Sequence, residues 1–410
     1  MVHEGREAKE AITDIKYSPD GNTLLLACVD CKVYVIDIGN AYTLRGTFDR
    51  HAAPARHLDF SSDSQYIRSN ADGCELMYAD ATTGAYIPAA SSLRDVTWES
   101  FTCPVSWYTQ GLHPATPDGG EVTSCDRSRG GRLLLSGDSF GRVALHGFPC
   151  VSPAHVARVF AGHAGPVAGA RWLSGDAGAV TLGADDRCVL QWRLARPEAG
   201  DSRGAEALLV DDPETRAFDA VMAMPLVPAP PAGFSIVRPW LSTIVPPNAP
   251  QSVAPAPPAA RLRLAWVHGY RAHDVHDNIR YTADGALVYN AGALGVRYDK
   301  AKHTQAYYGG HVRAPTTTTA VDPRGLFAAT GELAPYPRVH IWSAATGAPV
   351  AVLPHLHRRG IHVIAFSQGP NSGPVIGVTA FGGRPRAPLK GVPTERFGVG
   401  DGAGVCSEVV

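Results

Sequence analysis

Apolar and polar residues alternate in short stretches along the first part of the chain. Residues 11–38 divide into three such stretches, Ile12–Tyr17, Thr23–Cys28 and Lys32–Ile38. Because side chains of a strand point alternately to its two faces, each stretch predicts a β-strand. A Ser-Pro-Asp-Gly turn separates the first two stretches, and a tight turn at Asp30 separates the last two. Pro fixes φ and Gly accepts positive φ, so both separators suit tight turns. The segment predicts an antiparallel meander.

The same order of strand, turn and strand recurs along the chain. The further copies lie at 56–80, 167–194, 277–299 and 319–342. A period of about 40 to 45 residues with three or four strands per unit is typical of a β-propeller blade. A β-sandwich would explain the alternation, but not the fixed order of turn, tight turn and terminal aromatic residue. The predicted fold class is all-β, built from propeller blades.

Composition and charge limit the classes of function that the chain could have. The 43 Gly and 33 Pro in 410 residues agree with a chain rich in turns. A formal charge of −1 argues against a globally basic nucleic-acid binder. No stretch approaches the roughly 18 apolar residues that a membrane span needs, and the charged N-terminus lacks a secretory signal. Eight cysteines are too few for a disulfide scaffold, so we expect a reducing, cytoplasmic setting with neither nucleic acid nor membrane as partner.

A proline-rich segment separates two groups of repeats. Residues 225–258 contain eleven prolines, a content that favours extended polyproline-like chain over helix or central strand. Within the segment, Ser235–Pro247 is richer in large apolar residues, with Trp240 among them. We expect this island to dock on a folded surface, whereas the flanking Ala/Pro stretches form a linker.

Several residues of the repeats resemble the markers of WD-repeat blades. In WD repeats a histidine, a turn aspartate and a tryptophan form a hydrogen-bonded network that holds the blade together. The resemblance implies this structural role for Asp30, His163, Asp186, Trp192, His311 and Trp342. The hydroxyl usual four residues before the aspartate is Leu182 here, and no aspartate lies near Tyr336 in the last clear repeat. Both networks are therefore expected to be incomplete.

The apolar island resembles the HELP motif, the hydrophobic motif of the echinoderm microtubule-associated protein-like family. It has Arg-Pro-Trp, a short apolar spacer and then Pro-Pro, and the motif residues are Arg238, Pro239, Trp240, Ile244, Pro246 and Pro247. Residues 264–311 resemble the family's first blade. The stretch 57–80 and the Phe148-Pro149-Cys150 step resemble closing blades of its second propeller. In this order the closing blades come first, then the HELP motif, and then the opening blades. The longer, multi-unit members of the family have this order.

The resemblance implies two incomplete propellers joined by a Pro-rich linker. The expected organisation is closing blades of one propeller in 1–195, linker in 196–234, HELP motif and connector in 235–260, opening blades of the next propeller in 261–381, and a tail in 382–410 that is either disordered or misread sequence. Neither ring can close with these blades, so we interpret the chain as a fragment. The HELP tryptophan and aliphatic residues are expected to be buried against the two propellers. The basic, coiled-coil region through which shorter members trimerise is not found.

The sequence predicts no catalytic residue, metal site or cofactor site. Nucleophile-elbow, P-loop, zinc-protease and dinucleotide motifs are all missing. The pair Cys28 and Cys31 has no second pair at zinc-site spacing. We interpret the loop with His268, His273, Asp274, His276 and Asp277 as polar surface. The carboxylates Asp185, Asp186, Asp211, Asp212 and Glu332 are also expected at solvated turns or in the linker.

The family resemblance implies a non-enzymatic scaffold. It would bind tubulin, the microtubule lattice or lattice-associated proteins through propeller surfaces, in the cytoplasm and on the cytoskeleton. The alternative is a WD-repeat adaptor in a ciliary or other cytoplasmic complex without direct microtubule binding, because fold alone does not choose among such roles. A propeller hydrolase or lyase is a third reading, and it would need convergent polar residues at the central channel.

Overall fold

The structure is a computed structural model that describes ten ranges of the chain. They are 4–113, 120–152, 155–195, 239–250, 256–275, 278–311, 314–354, 360–367, 376–380 and 406–409, with the backbone alone for Pro239 and the last two ranges. Strands in these ranges form seven antiparallel sheets, which we number blade 1 to blade 7 in chain order. The all-β, propeller-blade fold predicted from the repeats is confirmed, and the described blades do not close a ring.

Consecutive strands are hydrogen-bonded neighbours in the first three blades. Blade 1 contains β1 (Ile12–Tyr17), β2 (Thr23–Cys28), β3 (Val33–Asp37) and β4 (Thr43–Phe48). Blade 2 contains β5 (Ala55–Phe60), β6 (Tyr66–Ala71) and β7 (Glu75–Asp80). Blade 3 contains β8 (Val122–Arg127), β9 (Leu133–Asp138), β10 (Val143–Gly147) and β11 (Arg158–Phe160). The first two strands of blade 1 have the predicted bounds.

The remaining four blades follow the same meander. Blade 4 contains β12 (Val167–Trp172), β13 (Gly178–Gly183), β14 (Val189–Ala195) and β15 (Arg261–His268). Blade 5 contains β16 (Ile279–Tyr281), β17 (Leu287–Ala291), β18 (Leu294–Asp299) and β19 (Thr304–Tyr308). Blade 6 contains β20 (Thr316–Val321), β21 (Phe327–Glu332), β22 (Val339–Ser343) and β23 (Pro349–Leu353). Blade 7 contains β24 (Ile361–Phe366), β25 (Ile376–Ala380) and β26 (Cys406–Val409).

The described helices are short 3-10 turns. They span Ala90–Leu93, Trp107–Leu112, Ser174–Asp176 and Pro239–Ser242. Over the described ranges, no helix has the length and apolar character needed to traverse a bilayer.

Blade 4 contains chain from both sides of the proline-rich segment. The sequence interpretation starts the next propeller at residue 261, but β15 pairs with β14 at seven positions, from Val189 opposite His268 to Ala195 opposite Arg261. An exposed β14 would leave a row of unpaired backbone groups, which β15 satisfies. Leu262 also packs into the apolar cluster that contains Trp192. The next sheet therefore begins at β16.

Blade 2 has irregular chain in place of a fourth strand. Residues after β7 return as isolated bridges, with Tyr86 opposite Ala79 and Trp98 opposite Ser61. The guanidinium of Arg68 lies 4.6 Å from the Trp98 ring centre and bonds the buried Asp59 at 2.9 Å. A buried charge needs such a partner. The returning segment thus covers the polar centre of the blade.

A repeated hydrogen bond joins neighbouring blades. The first strand of six blades has a register shift after its first residue. In three of them a threonine occupies the bulged position and its hydroxyl donates to the carbonyl of the first residue of the next blade's first strand. These bonds are Thr13 to Ala55 at 2.5 Å, Thr123 to Val167 at 2.5 Å and Thr317 to Ile361 at 2.6 Å. A bulge leaves its extra residue free to make such a contact.

Apolar side chains fill the spaces between blades. The broadest cluster joins Leu135 and Val143 of blade 3, Trp192 of blade 4, and Leu294 and Val296 of blade 5. Because this cluster includes residues before and after the proline-rich segment, the two groups of repeats share a core.

The expectation of a disordered tail fails at one place. Residues 406–409 form β26, which pairs with β25, and this pairing satisfies one edge of β25. The rest of 382–410 lies outside the described residues, as do the predicted linker at 196–234 and residues 235–238.

Candidate functional site

Trp240 is buried on blade 2. It lies in the 3-10 helix Pro239–Ser242, and only 5% of its surface is exposed. Its apolar neighbours are Leu76 and Tyr78 of blade 2, Val105, and Ile244 of its own segment. The described apolar contacts of the tryptophan outside its own segment are thus with blade 2 and the chain that follows it.

A second contact holds the same segment eight residues later. The Asn248 amide N–H donates to the Asp95 carboxylate at 2.9 Å, the Asn248 side-chain amide also bonds Asp95, and Arg94 donates to the Asn248 side-chain oxygen at 3.1 Å. The segment is therefore fastened by an apolar contact at one end and a polar one at the other.

The other residues predicted for the HELP motif have different environments. Arg238 lies outside the described residues, and Pro239 begins the 3-10 helix. Ile244 and Pro247 are half-buried, whereas Pro246 is exposed. Trp240 is thus the most buried of the predicted motif residues whose side chains the structure describes.

Beside the docked segment lies an open polar cleft of about 650 Å³. Its lining includes Ser62, Asp63, Ser91, Arg94, Asp95 and Asn248. Carboxylate, guanidinium, hydroxyl and amide groups line the cleft together, so it offers both donors and acceptors to a polar surface.

Blade 4 contains a complete buried hydrogen-bond network. His163 bonds Asp186 through Nδ1 at 2.9 Å and Thr181 through Nε2 at 2.8 Å. Trp192 donates its indole N–H to the same hydroxyl at 2.9 Å. The expectation of a missing hydroxyl is wrong, because Thr181, five residues before the aspartate, supplies it. Leu182 points outward and is 44% exposed.

The carboxylate of this network is kept ionised. Burial raises the pKa of Asp186, but hydrogen bonds from His163 and from the backbone of Cys188 and Ala164 outweigh it and leave the pKa below its usual value. The arrangement is therefore a stable ion-containing core rather than a group poised to take up a proton.

Blade 6 contains an enlarged version of the network. His311 bonds Glu332 at 3.2 Å and Thr330 at 2.6 Å, and Trp342 donates to Thr330 at 3.2 Å. His340 adds a second bond to Glu332 at 3.0 Å. Glu332 is only 2% exposed, so its interpretation as solvated surface is wrong. It takes the place of the aspartate that the sequence did not provide.

Blade 2 has a third network that the sequence did not reveal. His51 bonds Glu75 at 2.9 Å and Ser69 at 2.6 Å. No glycine precedes this histidine, so the Gly-His marker does not find it. A usable signal is the separation from histidine to hydroxyl, which is 18 residues in blades 2 and 4 and 19 in blade 6.

Asp30 has a different environment from the other predicted network residues. It accepts hydrogen bonds from the Lys32 amide at 3.2 Å and the Tyr34 hydroxyl at 2.5 Å, in the turn between β2 and β3. Its described partners include no histidine. In this blade the aspartate shapes its own turn.

The His/Asp loop that the sequence analysis interprets as polar surface contains an ion pair. Asp274 accepts two bonds from Arg271, at 2.8 and 2.6 Å, and approaches His273 at 3.4 Å. His276 and Asp277 lie outside the described residues. Asp185 is exposed, as expected, whereas Asp211 and Asp212 are not among the described residues.

Four arginines lie along the outer strands of blades 3 and 4, and we call them the arginine strip. They are Arg158, Arg193, Arg261 and Arg263. Arg193 of β14 lies directly opposite Arg263 of β15, and both are exposed. Arg261 lies on the same strand face as Arg263, two residues away. Burial and the charge of Arg261 both lower the pKa of Arg158. The strip is therefore a local concentration of positive charge on these two blades.

Comparison with known proteins identifies two matched regions. Residues 1–194 match the model of the second β-propeller of echinoderm microtubule-associated proteins, and residues 257–296 match the model of the HELP motif. The second match begins after Pro247 and covers β15 to β17 and part of β18. The family resemblance predicted from the sequence is confirmed, whereas the matched HELP region, 257–296, does not include the motif residues predicted at 238–247.

Curated relatives agree with these matches. The chain is 33% identical over 192 residues to echinoderm microtubule-associated protein-like 2 of Mus musculus, covering 46% of this chain and 30% of the relative. It is 29% identical over 197 residues to echinoderm microtubule-associated protein-like 1 of Homo sapiens, covering 47% and 24%. It is 33% identical over 191 residues to the 77 kDa echinoderm microtubule-associated protein of Strongylocentrotus purpuratus, covering 46% and 28%. The chain therefore spans less than a third of these relatives.

A solved structure, the Cps50 (Swd1) β-propeller domain of Myceliophteria thermophila, superposes with a TM-score of 0.34 at 14% identity, covering 81% of this chain and 83% of that one.

Proposed function

Since the chain carries second-propeller sequence of the echinoderm microtubule-associated proteins together with a HELP motif, we propose that it is a scaffold that binds the microtubule lattice or lattice-associated proteins. The observation that carries the proposal is the match over residues 1–194 to a propeller of microtubule-associated proteins. The proposed location is the cytoplasm and its cytoskeleton.

The arginine strip is the proposed contact with the lattice. A microtubule presents an acidic surface, and a local cluster of positive charge attracts such a surface even when net charge is close to zero. The four guanidinium groups lie on the outer strands of two packed sheets, so little side-chain or loop ordering is needed on binding. Affinity would come from several modest contacts and would fall with added salt.

Rigid presentation is the proposed role of the buried networks. His163, Asp186 and Trp192 would hold blade 4, and His311 and Trp342 would hold blade 6. Buried polar networks with every member satisfied favour one conformation. These groups are therefore assigned to stability, and the scaffold is proposed to act without catalysis.

The docked Trp240 segment is proposed to hold the chain that precedes the linker in a fixed position relative to the chain that follows it. Trp240 fastens its segment to blade 2, whereas β15, which begins 21 residues later, is part of blade 4. The segment would be an internal brace rather than an independent domain.

Co-sedimentation with microtubules tests the proposal. The wild-type chain is expected to sediment with microtubules at low salt and to be released as salt rises. The double variant Arg193→Glu/Arg263→Glu should bind at least about tenfold more weakly, a change of about 1.4 kcal/mol. The matched control is Arg129→Glu/Arg132→Glu, two exposed arginines at the β8–β9 turn, which should bind like wild type. Absence of sedimentation at low salt, or equal loss in both variants, contradicts the proposal.

The polar cleft beside Asn248 favours a second candidate, an adaptor that contacts other proteins without binding microtubules directly. Substituting Arg94 by Glu at the cleft should then remove co-purifying proteins, and the purified wild-type chain should not sediment with microtubules. If depolymerising microtubules in cells disperses both the protein and its partners, the result favours the lattice-binding proposal.

A further inference from the structure

Among its described residues, blade 3 has no counterpart of the histidine network of blades 2, 4 and 6, and it contains a different cluster. His146 lies on β10, Cys150 follows it, and His155 precedes β11. His146 is 7% exposed, Cys150 is fully buried and His155 is half-buried. All three therefore lie in or beside the short connection between the two outer strands of the blade.

The three side chains converge. One potential ligand atom from each lies within 4.8 Å of the others. The Cys150 sulfur is 4.0 Å from His146 Nδ1, and the two imidazole rings are 5.4 Å apart between centres. Zinc bonds of about 2.3 Å to sulfur and 2.0–2.1 Å to nitrogen place tetrahedral ligand atoms roughly 3.3–3.6 Å apart. The cluster would need to contract by at most about 1.5 Å.

Hydrogen bonding within the blade leaves ligand atoms available. His146 Nε2 bonds the Ser136 hydroxyl at 2.9 Å, so Nδ1 is the ring nitrogen that faces the thiol. A metal-binding histidine is commonly oriented in this way through its other nitrogen. His155 Nε2 is buried and has no hydrogen-bond partner among the described residues. A buried, unsatisfied imidazole nitrogen is costly unless something binds it.

We propose that His146, Cys150 and His155 bind a zinc ion, with water as the fourth ligand. Imidazole and thiolate are ligands that zinc prefers. The ion would tether the connection to β11, the three-residue outer strand that begins with Arg158. The site would thereby hold one end of blade 3 in place without taking part in catalysis.

Zinc binds cysteine as the thiolate, so binding at this site would release the thiol proton of Cys150. Zinc affinity should therefore increase with pH.

The His-rich cluster of blade 6 differs from that of blade 3 in its hydrogen bonding. In His311, Glu332 and His340, both nitrogens of each histidine already bond the carboxylate, Thr330 or Tyr308. That cluster is satisfied without a metal, whereas the blade 3 cluster is not.

Metal titration of the chelator-treated full chain tests the site. Zinc should bind with one equivalent, and cobalt in its place should give tetrahedral d–d bands and a sulfur-to-cobalt charge-transfer band. Cys150→Ser should abolish the charge-transfer band, and Ser136→Ala should weaken binding about 10–100-fold. Cys74→Ser and His303→Gln, which remove an exposed thiol and an imidazole elsewhere, should change neither result.

Because Cys150 is fully buried, its variant could fail to fold, so His155→Gln provides the second test. His155 is half-buried, and its substitution should keep the circular dichroism of the wild type while losing at least about tenfold in zinc affinity. No charge-transfer band in the wild type, or unchanged affinity in His155→Gln, overturns the proposal.

Discussion

The threonine at the centre of each large network is both a donor and an acceptor. Thr181 receives the indole N–H of Trp192, which leaves its own hydroxyl proton for His163 Nε2. His163 must then carry its proton on Nδ1, where Asp186 accepts it. The four groups form one chain in which every donor has an acceptor. Thr330 makes the equivalent pair of bonds in blade 6.

Thr181→Val should therefore be costly despite its similar shape. The substitution leaves the Trp192 indole and the His163 nitrogen buried without a partner, and each such group costs about 1–3 kcal/mol. We expect the free energy of unfolding to fall by about 2–4 kcal/mol in urea denaturation. Thr181→Ser retains the hydroxyl and should lose less than half as much. Equal losses in the two variants would assign the effect to packing of the methyl group.

His340 makes stability depend on pH. Burial and the nearby His311 lower its pKa to about 4, compared with about 6.5 in an unfolded chain. Between these values the unfolded chain binds more protons, so stability falls as pH decreases, by at most about 1.4 kcal/mol per pH unit from this group. The contribution is fully present above about pH 6.5.

Urea denaturation of wild type and His340→Gln from about pH 7.5 to about pH 5 measures this contribution. The variant does not titrate, so its stability should decline less steeply over that interval. Parallel pH profiles would show that His340 is not the group responsible.

At the scale of the element, the bulged first strands explain how blades are joined. Thr317 and Thr318 are adjacent on β20, and both are buried. Thr317 donates to Ile361 of blade 7, whereas the Thr318 hydroxyl is buried without a hydrogen-bond partner among the described residues. The two positions provide a matched pair for substitution.

Thr317→Val should destabilise the chain by about 1–3 kcal/mol, since it leaves the Ile361 carbonyl unpaired. Thr318→Val removes an unsatisfied hydroxyl and should be neutral or stabilising. Thermal unfolding of the two variants beside wild type gives the comparison. A loss at Thr318 as large as that at Thr317 would contradict the bonding pattern.

The 3-10 helix of the docked segment gives a second matched pair. Trp240 is 5% exposed, and the neighbouring Leu241 is 49% exposed. Trp240→Ala should cost about 3–5 kcal/mol and release the segment from blade 2, whereas Leu241→Ala should cost little. Hydrogen exchange of β7 and limited proteolysis near residue 240 would detect the release. Unchanged exchange in Trp240→Ala would show that the contact does not hold the segment.

Alternation and turn residues were sufficient to predict the first three strands of blade 1, because both are local properties of the chain. The partner of a strand is not local, so nothing in 261–268 indicated that β15 pairs with β14 across the linker. The networks were partly predictable. Gly-His pairs and tryptophans marked blades 4 and 6, but Thr181 and Glu332 departed from the expected spacing and residue type. The zinc-binding candidates of blade 3 share no spacing with the WD-repeat markers.

At the scale of the whole molecule, the blades form a continuous series. Threonine bonds join blades 1 to 2, 3 to 4 and 6 to 7. The Ala293 amide of blade 5 donates to Gly162, before blade 4, at 3.1 Å, and Thr316 of blade 6 donates to Gly292 at 3.2 Å. An apolar cluster spans blades 3 to 5. The arginine strip therefore lies on a surface supported from both sides.

The shared sheet of blade 4 has a consequence for cleavage of the chain. Seven paired positions between β14 and β15 hold together what lies before residue 196 and after residue 260. Severing the peptide backbone between 196 and 238 would leave two polypeptides still joined along one ladder, as in a split protein whose fragments complement each other. That stretch can also lengthen or shorten among homologous chains without shifting strand register, because the pairing does not depend on the route by which the chain returns.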